Sequence, residues 1–353
     1  MLCLIITPRN HPNLLHLVSS LRFAGYQVCL MVEYVTFESA TLGEEANITL
    51  TSHVDATTWL ASKKPDLVIQ RHYPKKWTQA VRDYSRNTGA TWIQYDQRPL
   101  RSGLTGLVLE TLFLLHRVLM QRPHRRITPV FEHGLIVSRS AATPFHYPLR
   151  FPRRKISSTK ENAGFHRIAT VGKLWQKRKK LGLLVRCLSE LDYRGHLDVI
   201  SVSRDRSKVQ TKEQLSKEES LLENLRLRYG GKFSMEIHID KSHNDTLEII
   251  QKSDFFCLPS VREPFAISPL EAMSLGKPVV ITSSNGARTY VNNGVTGYVV
   301  PPYSRGAFRR AIQKLLSDSA LVHQMGVTAK RTIAERNTER SFLDAVKKRE
   351  LKG

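Results

Sequence analysis

The chain has 353 residues, 41% of them hydrophobic and 24% charged, which suits two ordinary folded cores and excludes a disordered chain. Lys and Arg number 54 against 31 Asp and Glu, a formal charge of +23, so anionic partners are favoured: nucleic acid, acidic headgroups or phosphorylated substrates. Cys3, Cys29, Cys187 and Cys257 stand far apart with no C-x-x-C pair, which points to reduced, buried thiols in a cytosolic protein.

Along the first half, strands alternate with helices. Leu2–Thr7 reads as a strand, and its apolar run is too short, and lacks the basic start, for a signal peptide. Pro12–Ala24 has helical spacing at Leu14, Leu15, Val18 and Leu21, Gly25 ends it, and Tyr26–Val32 is a second strand. Asp66–Gln70 and Thr91–Tyr95 are further strands, an order that implies right-handed βαβ units and a parallel sheet. Gly103–Met120 is apolar and helical, preceded by Arg98 and Arg101 and followed from its last turn by Arg117, Arg122, Arg125 and Arg126. A buried helix with basic flanks and an interfacial helix on an anionic leaflet both fit it. No run of about 18 uninterrupted apolar residues occurs, so no transmembrane helix is expected.

The run Arg150–Lys160 is basic and polar and reads as a linker. A second alternating series follows: strand Arg167–Val171, helix Lys180–Leu191, strand Leu197–Val202, and a charged helix from Lys212 to Tyr229. Next come strand Met235–Ile239, helix Asp245–Lys252, strand Phe255–Leu258 and strand Gly297–Val300, then basic helices Arg305–Leu316 and Ala320–Lys348. The boundaries expected are an N-terminal domain over 1–150, the linker over 151–166, a second domain over 167–325, and a C-terminal helix over 326–353 that packs back on the first domain. Two doubly wound α/β domains facing across a cleft is the architecture this order predicts, with ligands at the carboxyl ends of the strands.

Two segments carry chemistry. In Arg262–Ile281, Pro264 and Pro269 keep Glu263 and Glu271 off a common helix. Ser268 reads as N-cap, Pro269 as N1 and Glu271 as N3, so Glu271 either completes a capping box or binds a ligand. Glu263, on the loop before that helix, is either a solvated surface carboxylate or a site residue. The helix start offers unpaired N–H groups to a diphosphate. In Val171–Val185, a strand runs into Gly172 and Lys173, and Lys177–Lys180 crowd the next helix, forming either a solvated basic turn or a phosphate contact.

The run from Leu258 through Glu263 and Glu271 to Pro278-Val279-Val280, then Asn293-Gly294 and Gly297, resembles the retaining GT-B glycosyltransferases of family four, the glycogen-synthase-like group with its E-x7-E pattern. Val171-Gly172-Lys173-Leu174 is similar to that family's V-G-R-L. The resemblance is strong over Arg167–Leu316 and weak before it. It implies a GT-B fold of two Rossmann-like domains and a metal-independent transfer with retention from a nucleotide diphosphate sugar, UDP- or GDP-linked, with no permanently bound cofactor. The implied acceptor is a lipid-linked or cell-surface glycan precursor, such as lipopolysaccharide, O-antigen or capsule, at the cytoplasmic face of a membrane.

Carried onto this chain, Glu263 would meet the donor sugar's hydroxyls, and Glu271 the ribose. Lys173 and Lys179 would neutralise the departing diphosphate. Gly172, Arg262, Pro264, Phe265, Ala266, Ile267 and Ser268 would line the donor site. Asn10, His72 and Asp96 would face the acceptor, and the six arginines around 98–126 an anionic surface. Several loops depart from the family pattern. Thr7-Pro8-Arg9-Asn10 replaces its Gly-rich turn, Tyr95-Asp96 lacks the usual histidine, and Ser203-Arg204-Asp205 replaces G-x-G. Asn285-Gly286-Ala287-Arg288-Thr289 loses an acid. Two rival readings are a basic nucleic-acid-binding protein and a catalytically silent GT-B scaffold. The first has no zinc-finger, helix-turn-helix or RNA-recognition signature behind it.

Overall fold

The computed structural model describes residues 1–9, 14–34, 47–49, 53–71, 75–95, 125–129, 143–149, 166–173, 176–201, 216, 219–221, 223–225, 227–229, 231–239 and 241–347. They fall into two compact units, Met1–Arg150 with Asn337–Gly353, and Phe151–Arg336.

The first unit is built on seven parallel strands: β1 (Leu2–Arg9), β2 (Gln27–Tyr34), β3 (Asn47–Thr49), β4 (Leu67–Arg71), β5 (Thr91–Tyr95), β6 (Arg125–Thr128) and β7 (Thr143–Pro144). Their order is 3-2-1-4-5-6-7. Helices α1 (Leu15–Phe23), α2 (His53–Lys63) and α3 (Lys75–Thr88) follow β1, β3 and β4. Every residue of β4 is buried, as the near-continuous apolar run of a strand covered on both faces requires. Leu4, Ile6, Met31, Val68, Trp77 and Trp92 form the core between β1, β2, β4, β5 and helices α2 and α3. Trp92 donates its Nε1–H to Gln70 Oε1 at 3.1 Å, so its polar atom is satisfied within that core.

The second unit holds β8 (Arg167–Gly172), β9 (His196–Ser201), β10 (Ser234–Ile239), β11 (Phe255–Leu258), β12 (Val279–Thr282) and β13 (Gly297–Val300), all parallel, in the order 10-9-8-11-12-13. Helices α4 (Leu181–Glu190), α5 (His243–Lys252), α6 (Ser268–Ser274), α7 (Arg305–Ser317) and α8 (Ser319–Arg336) connect and cover them. Leu184, Leu188, Leu197, Phe255, Phe308 and Ile312 fill the core on the α4 and α7 face. Gly276 ends α6 at φ +75°, where glycine carries no Cβ penalty. Helix α8 passes so near this turn that a Cβ on Gly326 would lie 2.1 Å from the Gly276 carbonyl oxygen. The charged helix expected over Lys212–Tyr229 is described only in part, and its described residues from 216 onward are helical.

Two expectations are corrected. The single helix over Ala320–Lys348 is two, α8 and then α9 (Glu339–Lys347), which belongs to the first unit. Asn337 makes the break. Its Nδ2 donates to the Tyr147 carbonyl at 2.7 Å, and its own carbonyl accepts from Leu149 N–H at 3.1 Å, so side chain and backbone both bond outside a helix. Helix α9 then packs Phe342 on Phe145, ring centroids 5.2 Å apart, and Ser341 Oγ accepts from His146 N–H at 2.8 Å. The second correction concerns α6. Its N-cap is Ile267, and Ser268 is already helical, so the Ser268–Glu271 capping box does not form.

Candidate active site

The strand order of the second unit explains why residues far apart in sequence meet. Chain connections run outward from β8 to β9 and β10 on one side, and from β11 to β12 and β13 on the other. The sheet therefore has its topological switch point between β8 and β11, and the loops leaving their carboxyl ends diverge and leave a crevice. One loop carries Lys173 and a short 3-10 turn, Lys177–Lys179; the other carries Pro259–Ile267. The two are tied directly, since Val261 N–H donates to the Arg178 carbonyl at 2.8 Å.

Glu263 sits at this junction, and it is not a surface carboxylate: its relative exposure is 6%. Lys179 Nζ donates to its Oε2 at 2.6 Å, and Arg178 Nη1 donates to the same oxygen at 2.5 Å. Oε1 receives no hydrogen bond from any described residue. Gly172, at the end of β8, makes room for this arrangement. A Cβ there would come within 3.1 Å of Lys179 Cδ and Cε.

Burial by itself pushes the Glu263 carboxyl upward, but Lys179 and Arg178, by charge and by hydrogen bond, outweigh it and hold the group below the ordinary carboxylate range. The stabilisation from this depressed pKa is fully present above the unfolded-state value. It is lost as pH falls through the lower folded value. The melting midpoints of wild type and Glu263→Gln should therefore differ at neutral pH and converge in acid. A gap that stays constant as pH falls would contradict this account.

The loop around Glu263 is held by backbone bonds. Arg262 adopts φ +53°, with its N–H on Ser284 Oγ at 3.2 Å and its side chain exposed. Glu263 N–H donates to the Ser284 carbonyl at 3.1 Å, and Gly286 N–H donates to the Glu263 carbonyl at 3.0 Å. Phe265, Ala266 and Ile267 are buried, with the Phe265 ring edge-on to Tyr290 at 5.6 Å. Their side chains anchor the loop, and Ala266 N–H lies 3.5 Å from Asn285 Oδ1. Pro264 and Ser268 are half-buried beside them. Asn285 Oδ1 accepts from Ala287 N–H at 3.0 Å. The Asn285 Nδ2 and Ser260 Oγ atoms are buried there without a hydrogen-bond partner among the described residues.

Glu271, freed from capping, accepts through Oε1 from His243 Nε2 at 2.7 Å. His243 is the first residue of α5, fixed there by a capping box in which Ser242 and Asp245 exchange hydrogen bonds. It is one of two site residues that the pattern reading does not single out. The other is Arg178. Both depend on a contact between loops distant in sequence, although the S-x-x-D signature before α5 does place His243 at a helix start.

The remaining candidates lie elsewhere or outside the described residues. Asn10, His72 and Asp96 follow β1, β4 and β5 directly and are outside the described residues, as are Arg98, Arg101, Arg117 and Arg122. Arg125 and Arg126 open strand β6. Within the second unit, the ligating atoms of His196, Asp198 and Glu236 lie within 4.8 Å of one another. That group suits a metal poorly, because Arg167 already engages both Asp198 oxygens at 2.5 and 2.8 Å, and His238 Nε2 lies 2.8 Å from Oδ1.

Residues 158–332 match the family described as glycosyl transferases group 1. An uncharacterised glycosyltransferase of Methanocaldococcus jannaschii is 35% identical over 95 residues, 27% of this chain and 24% of that protein. Matches to the curated relatives span about a quarter of their length. Among solved structures, a glycosyltransferase of Rickettsia africae superposes with a TM-score of 0.74 at 13% identity, covering 100% of this chain and 99% of the other. Anabaena HepE, in complex with UDP-glucose, gives 0.71 at 13% identity, covering 98% of each chain. WaaG, a glycosyltransferase involved in lipopolysaccharide biosynthesis, gives 0.65 at 14% identity, covering 98% of this chain and 100% of the other.

The fold is GT-B. The second unit's switch point in this chain holds a buried carboxylate with two cations on it, at the carboxyl edge of the sheet.

Proposed function

We propose that the chain is a retaining glycosyltransferase that moves a sugar from a nucleotide diphosphate sugar to a lipid-linked or cell-surface glycan precursor. The observation that carries this reading is the buried Glu263 at the switch point, held through one oxygen by Lys179 and Arg178. As the glycosidic C–O bond breaks, negative charge grows on the diphosphate and positive charge on the sugar. Lys179 and Lys173 are placed to stabilise the first, and the ionised Glu263 the second. Oε1 of Glu263 is the acceptor that remains for a sugar hydroxyl, and Glu271, oriented by His243, is the acceptor for the ribose. The acceptor hydroxyl attacks from the face the diphosphate leaves, and its proton passes to the leaving phosphate.

A UDP-linked donor is supported by the fold shared with HepE, whose structure contains UDP-glucose. The glycan acceptor is supported by the fold shared with WaaG and by the charge of +23, which favours an anionic surface. Among the described residues, no helix is long and apolar enough to cross a membrane. A lipid-linked acceptor would bring the chain, as a peripheral protein, to the cytoplasmic face of a membrane.

A thermal-shift screen against UDP, GDP and ADP and their sugars tests the donor claim. One nucleotide family should raise the midpoint, through about 2.7 kcal/mol of added stability at a hundred times its Kd, and EDTA should leave the shift unchanged. No shift with any nucleotide would overturn the reading.

A further inference from the structure

We propose that Arg178 is a positioning residue: it holds Glu263 through Oε2 so that Lys179 can pass from that carboxylate to the diphosphate of an arriving nucleotide. This deepens the function proposed above and rests on it. The charges at this junction do not balance. Two cations converge on a single carboxylate oxygen, one at 2.5 Å and one at 2.6 Å, while one charge would balance it. The local sum of Arg178, Lys179 and Glu263 is +1, an excess at the crevice where an anion is to bind.

The two cations are not equivalent. Lys179 lies against Gly172 at the end of β8, with its side chain 10% exposed, whereas the Arg178 side chain is 35% exposed. Arg178 is also held from its own side, its Nε–H donating to Gln176 Oε1 at 2.9 Å, and its carbonyl accepts from Val261 on the partner loop. Its guanidinium is thus fixed in place, while the lysine is a point charge on a flexible stem. A buried carboxylate left without a cation would be strongly disfavoured as an ion. With Arg178 present, Lys179 can leave and Glu263 keeps its charge. Without it, the nucleotide and Glu263 would compete for one lysine. Among the described residues, the other cations on these segments, Lys173, Lys177, Lys180, Arg262 and Arg288, make no ion pair with Glu263, so none of them substitutes.

Two measurements on Arg178→Gln and Arg178→Lys test this. The first needs no ligand. The acid limb of the melting midpoint, which in wild type runs from the unfolded-state pKa down to the depressed pKa of folded Glu263, should be shallower and should end at higher pH in Arg178→Gln than in wild type. In a Glu263→Gln background the same substitution should not move it. An unmoved acid limb would overturn the inference, because a merely structural role would lower the midpoint at every pH alike. The second is calorimetry with UDP, GDP and ADP. Arg178→Gln should weaken the bound nucleotide by roughly fivefold or more and leave its parent nucleoside unchanged, and Arg178→Lys should restore it. Equal loss for nucleoside and nucleotide would also overturn it. If wild type binds none of the three, the proposed function fails, and the ligand-free measurement alone still decides whether Arg178 holds the Glu263 charge.

Discussion

Glu263→Gln should lower sugar transfer by at least about a hundredfold, the usual cost of removing one fixed electrostatic group from a transition state. The substitution keeps the side chain's size and leaves a carbonyl oxygen where Oε2 was, so Arg178 and Lys179 keep the acceptor atom they share. What disappears is the negative charge that, in the proposed reaction, Oε1 would present to the sugar as its C–O bond opens. The fold should survive. Breaking a fully buried pair costs roughly 3–5 kcal/mol, but Arg178 is 35% exposed and can return partly to water, which lowers the figure. The measurement is kcat with the donor identified by thermal shift, beside the melting midpoint of the same protein. Near-normal turnover in a folded Glu263→Gln protein would remove Glu263 from the chemistry and the family reading with it.

The largest effect on stability is expected from a methyl group. Gly326→Ala places a Cβ 2.1 Å from the Gly276 carbonyl oxygen, a backbone atom that cannot swing aside as a side-chain end would. Helix α8 must then lift from the turn that ends α6. Overpacking of this kind costs about 1–3 kcal/mol. That exceeds the benefit of replacing a mid-helix glycine, roughly 0.5–1 kcal/mol. Gly182→Ala is the matched control: it lies in α4 with nothing within 4 Å of the added Cβ, so there the helix preference acts alone. The melting midpoint should fall by several degrees in Gly326→Ala and hold or rise in Gly182→Ala. If both rise, the approach of α8 to Gly276 is looser than these distances allow.

The parts of this protein legible in its sequence are those with a strong local signal. Strands such as Thr91–Tyr95, Phe255–Leu258 and Gly297–Val300 announce themselves as short apolar runs between turns, and the structure places them at those residues. Strands β3, β6 and β7, reading N-I-T, R-R-I-T and T-P, carry no such signal and form by pairing at the sheet's margins. The Ser268 cap misleads because Ile267 is already in the right-handed helical region, so the turn closes one residue earlier. At the site, the family resemblance points to Glu263, Glu271, Lys173 and Lys179, which the local pattern by itself leaves open. It does not tell which oxygen of Glu263 is engaged, or that Arg178 and His243 take part. Those facts depend on loops 28 and 85 residues apart in sequence meeting at a switch point, which is a property of strand order.

The break at Asn337 bears on the order in which the chain matures. The second unit is one continuous stretch, complete once Arg336 has been made, whereas the first is closed by residues from both ends of the described chain. Its Tyr147 carbonyl, Phe145 ring and His146 amide wait for Asn337, Phe342 and Ser341, about 190 positions later on the ribosome. During synthesis the unit that begins first is therefore the one that finishes last.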